Sequence, residues 1–409
     1  MSRYALYSLW VLFLHWVNLS TGGDARSLSN KLHSGKNNNF NKLTLVIGNE
    51  SCDLDSAVSA LTYATFLNWQ HNQIKCKVCT RNKRTEEVKE DVFVAILNVN
   101  RNDFNLKTEV AFCLREHGID ETKLVFRDDY TIKDLLTPDT TVVLVDHHVL
   151  AGKDQVLTAN VTEIIDHRPQ DKSLWPFKED TRSTIEIVGS CATLIVQRIR
   201  DVSKLMCKDL EFFNEYPICV KLLHATIILD TVNFSKEVNK ATPHDEEVIL
   251  FLETFLNFED NSFRKKILDR LVDARKDVSG LTAAQLLVKD VKVLGNVLVP
   301  SFPILVKEFL QKPECMQAVI AALERNDCSI ALLLGMELTG GLQRDTAIYS
   351  PNTDKAGQLS KCLEEWKRPD LQLLKEDQAL GPLVYYKQLN LSASRKQYMP
   401  IVNHFLEIK

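Results

Sequence analysis

Four apolar runs in this chain end in carboxylates or histidines: LTLVIGNESCDLD (43–55), TVVLVDHH (141–148), VTEIIDHR (161–168) and HATIILD (224–230). Each reads as a buried parallel strand with metal-ligating side chains just past its carboxyl end, the edge where open α/β sheets build their sites. Taken with residues 217–223, the last run also reads as the end of a helix that leads through 217–229 to Asp230. A single ending of this kind is an ordinary helix cap or loop carboxylate. Four of them between residues 43 and 230 converge on one shared metal site, because bare carboxylates gathered on one edge repel one another.

The remaining pattern extends this frame. Strands are expected at 43–48, near 74–79, and at 92–97, 124–126, 141–145 and 161–165, with helices from about Ser56 and Ser190. Strands alternating with helices predict an α/β fold with a doubly wound, mostly parallel sheet over residues 41–235. Residues 1–40 read as an N-terminal extension and 236–280 as a linker with an amphipathic helix. A second, smaller α/β domain is expected over 281–409, with strands at 291–299, 329–337, 346–349 and 383–390. Its loops offer Lys292, Arg344, Arg395 and Lys396 in place of acidic strand ends. Carboxylates in one domain and cations in the other predict a cleft, with metals on one wall and anion clamps on the other.

Composition narrows the partners. The chain of 409 residues is 45% hydrophobic and 25% charged, with a net charge of −4. That balance is globular and points neither to a nucleic-acid polymer nor to a membrane surface, so positive charge for an anionic substrate must be local. The ten cysteines are scattered, many in apolar segments, which suits a reducing compartment better than a disulfide framework. Cys76 and Cys79 form a lone CxxC with no matching second half and read as ordinary strand cysteines. Residues 4–19 are apolar and resemble a short signal core. The Ser-rich, acid-poor stretch 24–49 also suits a mitochondrial presequence, and a third reading is an untargeted extension. Cysteine usage argues against secretion. The cytoplasm is the expected location, with the mitochondrion as the alternative if residues 1–40 are a presequence.

The constellation has a definite chemistry. Asp53 and Asp55 are close enough to favour a divalent cation between them, and oxygen with imidazole ligands suits Mn²⁺ or Mg²⁺ rather than a thiolate-bound zinc. Asp146 and Asp230 end two further runs and are each expected to bridge two ions, and His167 adds a nitrogen. Two ions roughly 3.5–4 Å apart would acidify a shared water and neutralise a phosphoryl group. Of His147 and His148, one is expected to face the site as a proton donor and at least one to orient a ligand. His224 reads as a core histidine, and Asp128 and Asp129 read equally as a turn or cap. Gly189-Ser190 precedes a helix, so its backbone N–H groups could hold an anion; a plain N-cap serine is the competing reading. Ser394-Arg395-Lys396 is a compact cationic triplet, which in isolation would be a solvated basic patch.

Asn49-Glu50-Ser51-Cys52-Asp53-Leu54-Asp55-Ser56, Asp146-His147-His148, Asp166-His167-Arg168 and Leu229-Asp230 resemble the successive motifs of the DHH phosphoesterase superfamily. Gly341-Leu342-Gln343-Arg344 and Ser394-Arg395-Lys396 resemble the DHH-associated domain of family II inorganic pyrophosphatases and exopolyphosphatases, so that the likeness covers about residues 41–405. The resemblance implies metal ligands at Asp53, Asp55, Asp146, His167 and Asp230, and phosphate binders at Lys292, Arg344, Arg395 and Lys396. Asn49 stands where the pyrophosphatases have a metal-binding histidine, and Arg168 where they have the last histidine of a DHH triplet. Asn is a weaker ligand and Arg cannot relay a proton near neutral pH. Both departures argue against fast pyrophosphate hydrolysis. The implied activity is divalent-metal-dependent cleavage of phosphoanhydride bonds, on short-chain polyphosphate first, with Asp146, His147, His148 and Arg168 as the catalytic set. The alternatives are a cyclic-nucleotide phosphodiesterase on the same site and a regulatory protein-binding module with weakened catalysis. The implied partner is a small anionic phosphate compound; protein partners stay open.

Overall fold

The computed structural model describes residues 40–74, 90–170, 175–256, 262–337, 341–376 and 383–407. The expected strand near 74–79, apart from Ile74, the CxxC cysteines and the extension 1–39 lie outside these residues. The chain divides into two compact units between Arg275 and Lys276.

In the first unit, six strands lie in the order β3-β2-β1-β4-β5-β6, and every neighbouring pair is parallel. They are β1 Phe40–Ile47, β2 Glu90–Leu97, β3 Val125–Phe126, β4 Thr140–Val145, β5 Val161–Asp166 and β6 Arg182–Ile185. The central strands are continuous apolar runs because both faces of the sheet are covered. Side chains alternate between those faces. Leu43, Leu45, Ile47, Val142 and Leu144 enter one core with Leu135, Leu150, Leu157 and Phe177. Val46, Val143, Val145 and Ile165 enter the other, against helices. Those helices are α1 Leu54–Ile74, α2 Thr108–Glu116, α3 Cys191–Leu205, α4 Pro217–Asp230, α5 Pro243–Glu253 and α6 Phe263–Lys276. Long helices thus cover one face, while short helical turns and loops cover the other.

Two expectations change here. HATIILD is the end of helix α4, not a strand; its side chains are buried nearly all round, so no helical stripe shows in the sequence. The stretch read as a linker forms α5 and α6, whose Val248, Ile249, Leu252 and Leu271 complete the helical core. A tight approach fixes the start of α1: a Cβ on Gly48 would lie 2.1 Å from Ser56 Oγ and 2.9 Å from its carbonyl oxygen, so only glycine fits between β1 and the helix.

The second unit holds a mixed sheet in the order β11-β12-β10-β9-β8-β7, in which only β8 and β9 pair in parallel. Its strands are β7 Val291–Leu294, β8 Val297–Phe302, β9 Ile330–Glu337, β10 Gln343–Tyr349, β11 Leu373–Lys375 and β12 Val384–Gln388. The single strand expected at 291–299 is a hairpin that turns at Gly295 (φ +52°) and Asn296. Helices α7 Thr353–Glu365 and α8 Arg395–Glu407 cover one face through Leu359, Leu363, Ile401 and Phe405. Among the described residues, no helix is long and apolar enough to cross a membrane.

Candidate metal centre

The order of the first sheet reverses between β1 and β4, and crevices of parallel sheets open at such a switch point beyond the carboxyl ends of the strands. Asn49 follows β1 and Asp146 follows β4. Asp146 is fully buried and takes a left-handed backbone, φ +60°, rare for a non-glycine residue and a local strain that recurs at functional positions.

Three expected ligands meet here. Asp55, Asp146 and His167 each present one ligating atom, and these atoms all lie within 4.8 Å of one another. His167 Nε2 is 3.3 Å from Asp146 Oδ1 and 3.9 Å from Asp55 Oδ2. His167 Nδ1 lies 3.0 Å from the Val188 carbonyl oxygen, which can only accept. Nδ1 therefore carries a proton, and Nε2 is the atom left to face a cation.

The electrostatics fit a divalent ion. Burial and the neighbouring Asp55 charge push the Asp146 carboxyl up to about 7, only partly offset by His167. Burial, then Asp55, also raises Asp230, which ends α4. Burial works against a charged His167 ring, yet its hydrogen bond to Asp146 and the Asp55 charge hold it up at about 9. Acids this crowded are short of positive charge, and oxygen ligands with one imidazole suit Mn²⁺ or Mg²⁺.

Asp53 caps α1 by accepting from Ser56 N at 3.1 Å, and Asp230 has Lys240 Nζ 3.9 Å away; neither belongs to the three-ligand group. Asn49, expected among the ligands, sits beside Asp146. Its oxygen accepts from Ser51 N at 2.9 Å and Cys52 N at 3.2 Å, so its amide nitrogen faces Asp146 and donates to Oδ2 at 2.6 Å. In this orientation Asn49 acts as a hydrogen-bond donor to Asp146, and an N–H group has no lone pair to give a metal.

Gly189 and Ser190 are a correction. The helix that follows them, α3, does bind an anion at its N-terminus, but the anion is Asp55, which accepts from Cys191 N at 2.6 Å and Ala192 N at 2.8 Å. Gly189 N donates to Asp245 at 2.8 Å, and Ser190 is fully buried, with no partner for its hydroxyl among the described residues. The N–H groups of Gly189, Cys191 and Ala192 are thus already engaged.

Arg168 Nη1 donates to Asp146 Oδ1 at 2.8 Å and Asp166 Oδ1 at 3.0 Å, and also to the Asp146 carbonyl. Burial works against the Arg168 charge, but the two carboxylates more than offset it and raise its pKa. His148 holds Asp166 through Nδ1. His147 Nδ1 lies 3.0 Å from the Val145 carbonyl oxygen, and burial lowers its pKa. His147, His148, Asp166, Arg168 and Asn49 line a cavity of about 330 Å³ in this unit.

Sequence reasoning missed several supporting residues. Asp166, the first residue of its motif, holds both His148 and Arg168. Asp245, fully buried, ties Gly189, Thr193 and Thr242 together, and the helix-start pattern Thr242-x-x-Asp245 is its sequence signal. Asn98, just past β2, donates to the Gly48 carbonyl at 3.1 Å and accepts from Arg127, just past β3, at 2.6 Å. Both obey the same strand-end rule as the acids. Asp128 and Asp129 form the turn beside Arg101, and His224 is buried against Glu253.

In the second unit the expected cations lie on regular elements rather than loops. Lys292 is exposed on β7, and Arg344 on β10 donates from Nε to the Leu391 carbonyl at 2.9 Å. Arg395, the first residue of α8, is held by Asp290 at 2.6 Å, and Lys396 beside it is exposed. Arg344, Lys307 and Lys387 line a cavity of about 350 Å³ with Glu376 and Tyr385.

Comparison with known proteins gives the class. Residues 44–222 match the model of the DHH family, N-terminal domain, and residues 269–405 match that of the DHHA2 domain. Exopolyphosphatase PRUNE1 of Homo sapiens is 33% identical over 372 residues, which span 89% of this chain and 76% of that protein. A putative exopolyphosphatase of Schizosaccharomyces pombe is 24% identical over 369 residues, 88% of this chain and 90% of that protein. A solved structure described as a putative family II inorganic pyrophosphatase of Methanococcus jannaschii aligns over 88% of this chain and 99% of that chain, at 17% identity and a TM-score of 0.40. The chain belongs to the DHH family, with a DHHA2 domain, and within it to the prune group.

Proposed function

We propose that this phosphoanhydride hydrolase acts as an exopolyphosphatase on short-chain polyphosphate, using Mn²⁺ or Mg²⁺. The observation that carries the reading is the meeting of Asp55, Asp146 and His167 at the switch point of the parallel sheet. These three would hold the ion, with Asp53 and Asp230 as the nearby acids that could serve a second. When bound, a divalent ion supplies Lewis acidity toward a phosphoryl oxygen and acidifies water.

The chain's own groups do the rest. Arg168 stays charged, so it binds phosphoryl oxygens and does not relay protons. Asp166 orients His148 through Nδ1, an arrangement that supports a proton on the ring as the leaving oxygen departs. In the second unit, Arg344 and Lys396, with Arg395 and Lys292, would bind the phosphate chain. The cysteine pattern supports an enzyme of a reducing compartment.

The test is orthophosphate release from tripolyphosphate, tetrapolyphosphate and pyrophosphate, and formation of the nucleoside monophosphate from cyclic nucleotides, each with Mn²⁺ and with Mg²⁺. Preference for the short polyphosphates supports the reading. Turnover of cyclic nucleotides alone would replace it with the phosphodiesterase reading, and no turnover by folded, metal-loaded protein with the regulatory one.

A further inference from the structure

We infer that the resting protein binds one divalent ion tightly, not two, because Arg168 and Asn49 already donate to both oxygens of Asp146, the acid that would have to bridge a pair. This rests on the metal-dependent reading above.

Asp146 is the acid that would have to bridge two ions. Both of its oxygens are already engaged: Oδ1 by Arg168 Nη1 at 2.8 Å, and Oδ2 by Asn49 Nδ2 at 2.6 Å. His167 Nε2 lies 3.3 Å from Oδ1, so an ion held by Asp55, Asp146 and His167 would share that oxygen with Arg168. The Asp146 carbonyl accepts from Asn49 at 3.1 Å and from Arg168 as well.

Neither donor is there by chance of rotamer. Asn49 is locked by its oxygen, which the backbone of Ser51 and Cys52 holds, so turning the amide would set an oxygen against Asp146 and a nitrogen against two N–H groups. Arg168 has a second anchor. Asp166, fully buried, accepts from Arg168 at 3.0 Å while also accepting from the His167 backbone N–H at 2.8 Å and from His148. A guanidinium held by two buried carboxylates neutralises them as a cation does, and it repels any divalent ion that approaches Asp146 from the same side. Asp55, Asp146 and His167 form the only group of three or more ligating side chains among the described residues. The arrangement is one ion site with a protein-borne cation beside it.

The experiment counts ions in the full-length protein after stripping with chelator. Mn²⁺ is titrated in, bound ion is counted, and the paramagnetic resonance spectrum separates isolated Mn²⁺ from an exchange-coupled pair. The inference expects one tight ion and an uncoupled spectrum in the parent. Arg168→Gln should bind the second ion at least tenfold more tightly than the parent and show coupling, whereas Arg168→Lys, which keeps the charge, should stay at one. Should Arg168→Gln fail to fold, Asn49→His keeps the Asp166 anchor and should likewise tighten the second ion. Two ions of similar affinity and a coupled spectrum in the parent would overturn the inference and leave the metal-dependent reading intact. No tight ion in folded parent protein would overturn both.

Discussion

Asp55 accepts the Cys191 backbone N–H at 2.6 Å, so a carboxylate that meets Asp146 and His167 also closes the N-terminus of helix α3. Ala192 N donates to its other oxygen at 2.8 Å. Sheet, helix and acidic cluster are therefore one arrangement, and removing the acid should harm the fold. In metal-free protein, Asp55→Ala should lower unfolding stability by about 1–3 kcal/mol through the two orphaned N–H groups. Asp146→Asn should not, because ionised Asp146 is itself unfavourable in its buried, acid-crowded place. Urea unfolding of both variants at pH 8 with chelator checks this; equal losses would contradict it.

The pH dependence follows from Asp146 at about 7 and His167 at about 9. Both are raised above their unfolded values, so each contributes stability when protonated. That contribution is complete below the unfolded values and is lost as pH rises through about 7 for Asp146 and about 9 for His167. A bound cation removes the cause of the loss. The rise in Tm on adding Mn²⁺ should therefore grow between roughly pH 5.5 and pH 8. A Tm increment independent of pH would count against this site as the place of binding.

The sequence made the sheet legible and left parts of the site illegible, for physical reasons. Strands β1, β2, β4 and β5 stood out because a parallel strand covered on both faces is apolar at successive positions. The same logic misled at HATIILD, since a helix buried all round also lacks periodicity. Asp55, Asp146 and His167 were readable from their places after apolar runs. The direction of the Asn49 amide was not, because it depends on the fold of the loop through Cys52, whose φ of +46° no motif announces. Nor was the filling of the α3 N-terminus by Asp55, a contact across 136 residues.

Gly48 is a stringent position. Gly48→Ala sets a Cβ against Ser56 Oγ at 2.1 Å and its carbonyl oxygen at 2.9 Å. The expected loss is about 1–3 kcal/mol of stability together with weaker Mn²⁺ binding, since the displaced loop leads into Asp55 at the start of α1. Adding Ser56→Ala relieves the hydroxyl contact but not the carbonyl one, so calorimetric unfolding of the pair should show partial recovery. Full recovery would mean that the backbone contact is harmless.

Arg344→Ala should lower kcat/KM for tripolyphosphate roughly ten- to a hundredfold, the worth of one charge-assisted phosphate contact, without changing metal content. Rates measured across a salt series separate this from a solvated patch, for which the change would stay within about twofold and fade with salt.

The central claim is that Asp146 serves a metal-dependent phosphoanhydride hydrolysis. Orthophosphate release from tripolyphosphate, measured on parent and Asp146→Ala protein at saturating Mn²⁺ and again with excess chelator, tests it most directly. The account predicts release by the parent that chelator abolishes, and a rate for Asp146→Ala roughly a thousandfold lower with its fold retained. Near-parental turnover by Asp146→Ala, or parental turnover that survives the chelator, would contradict it.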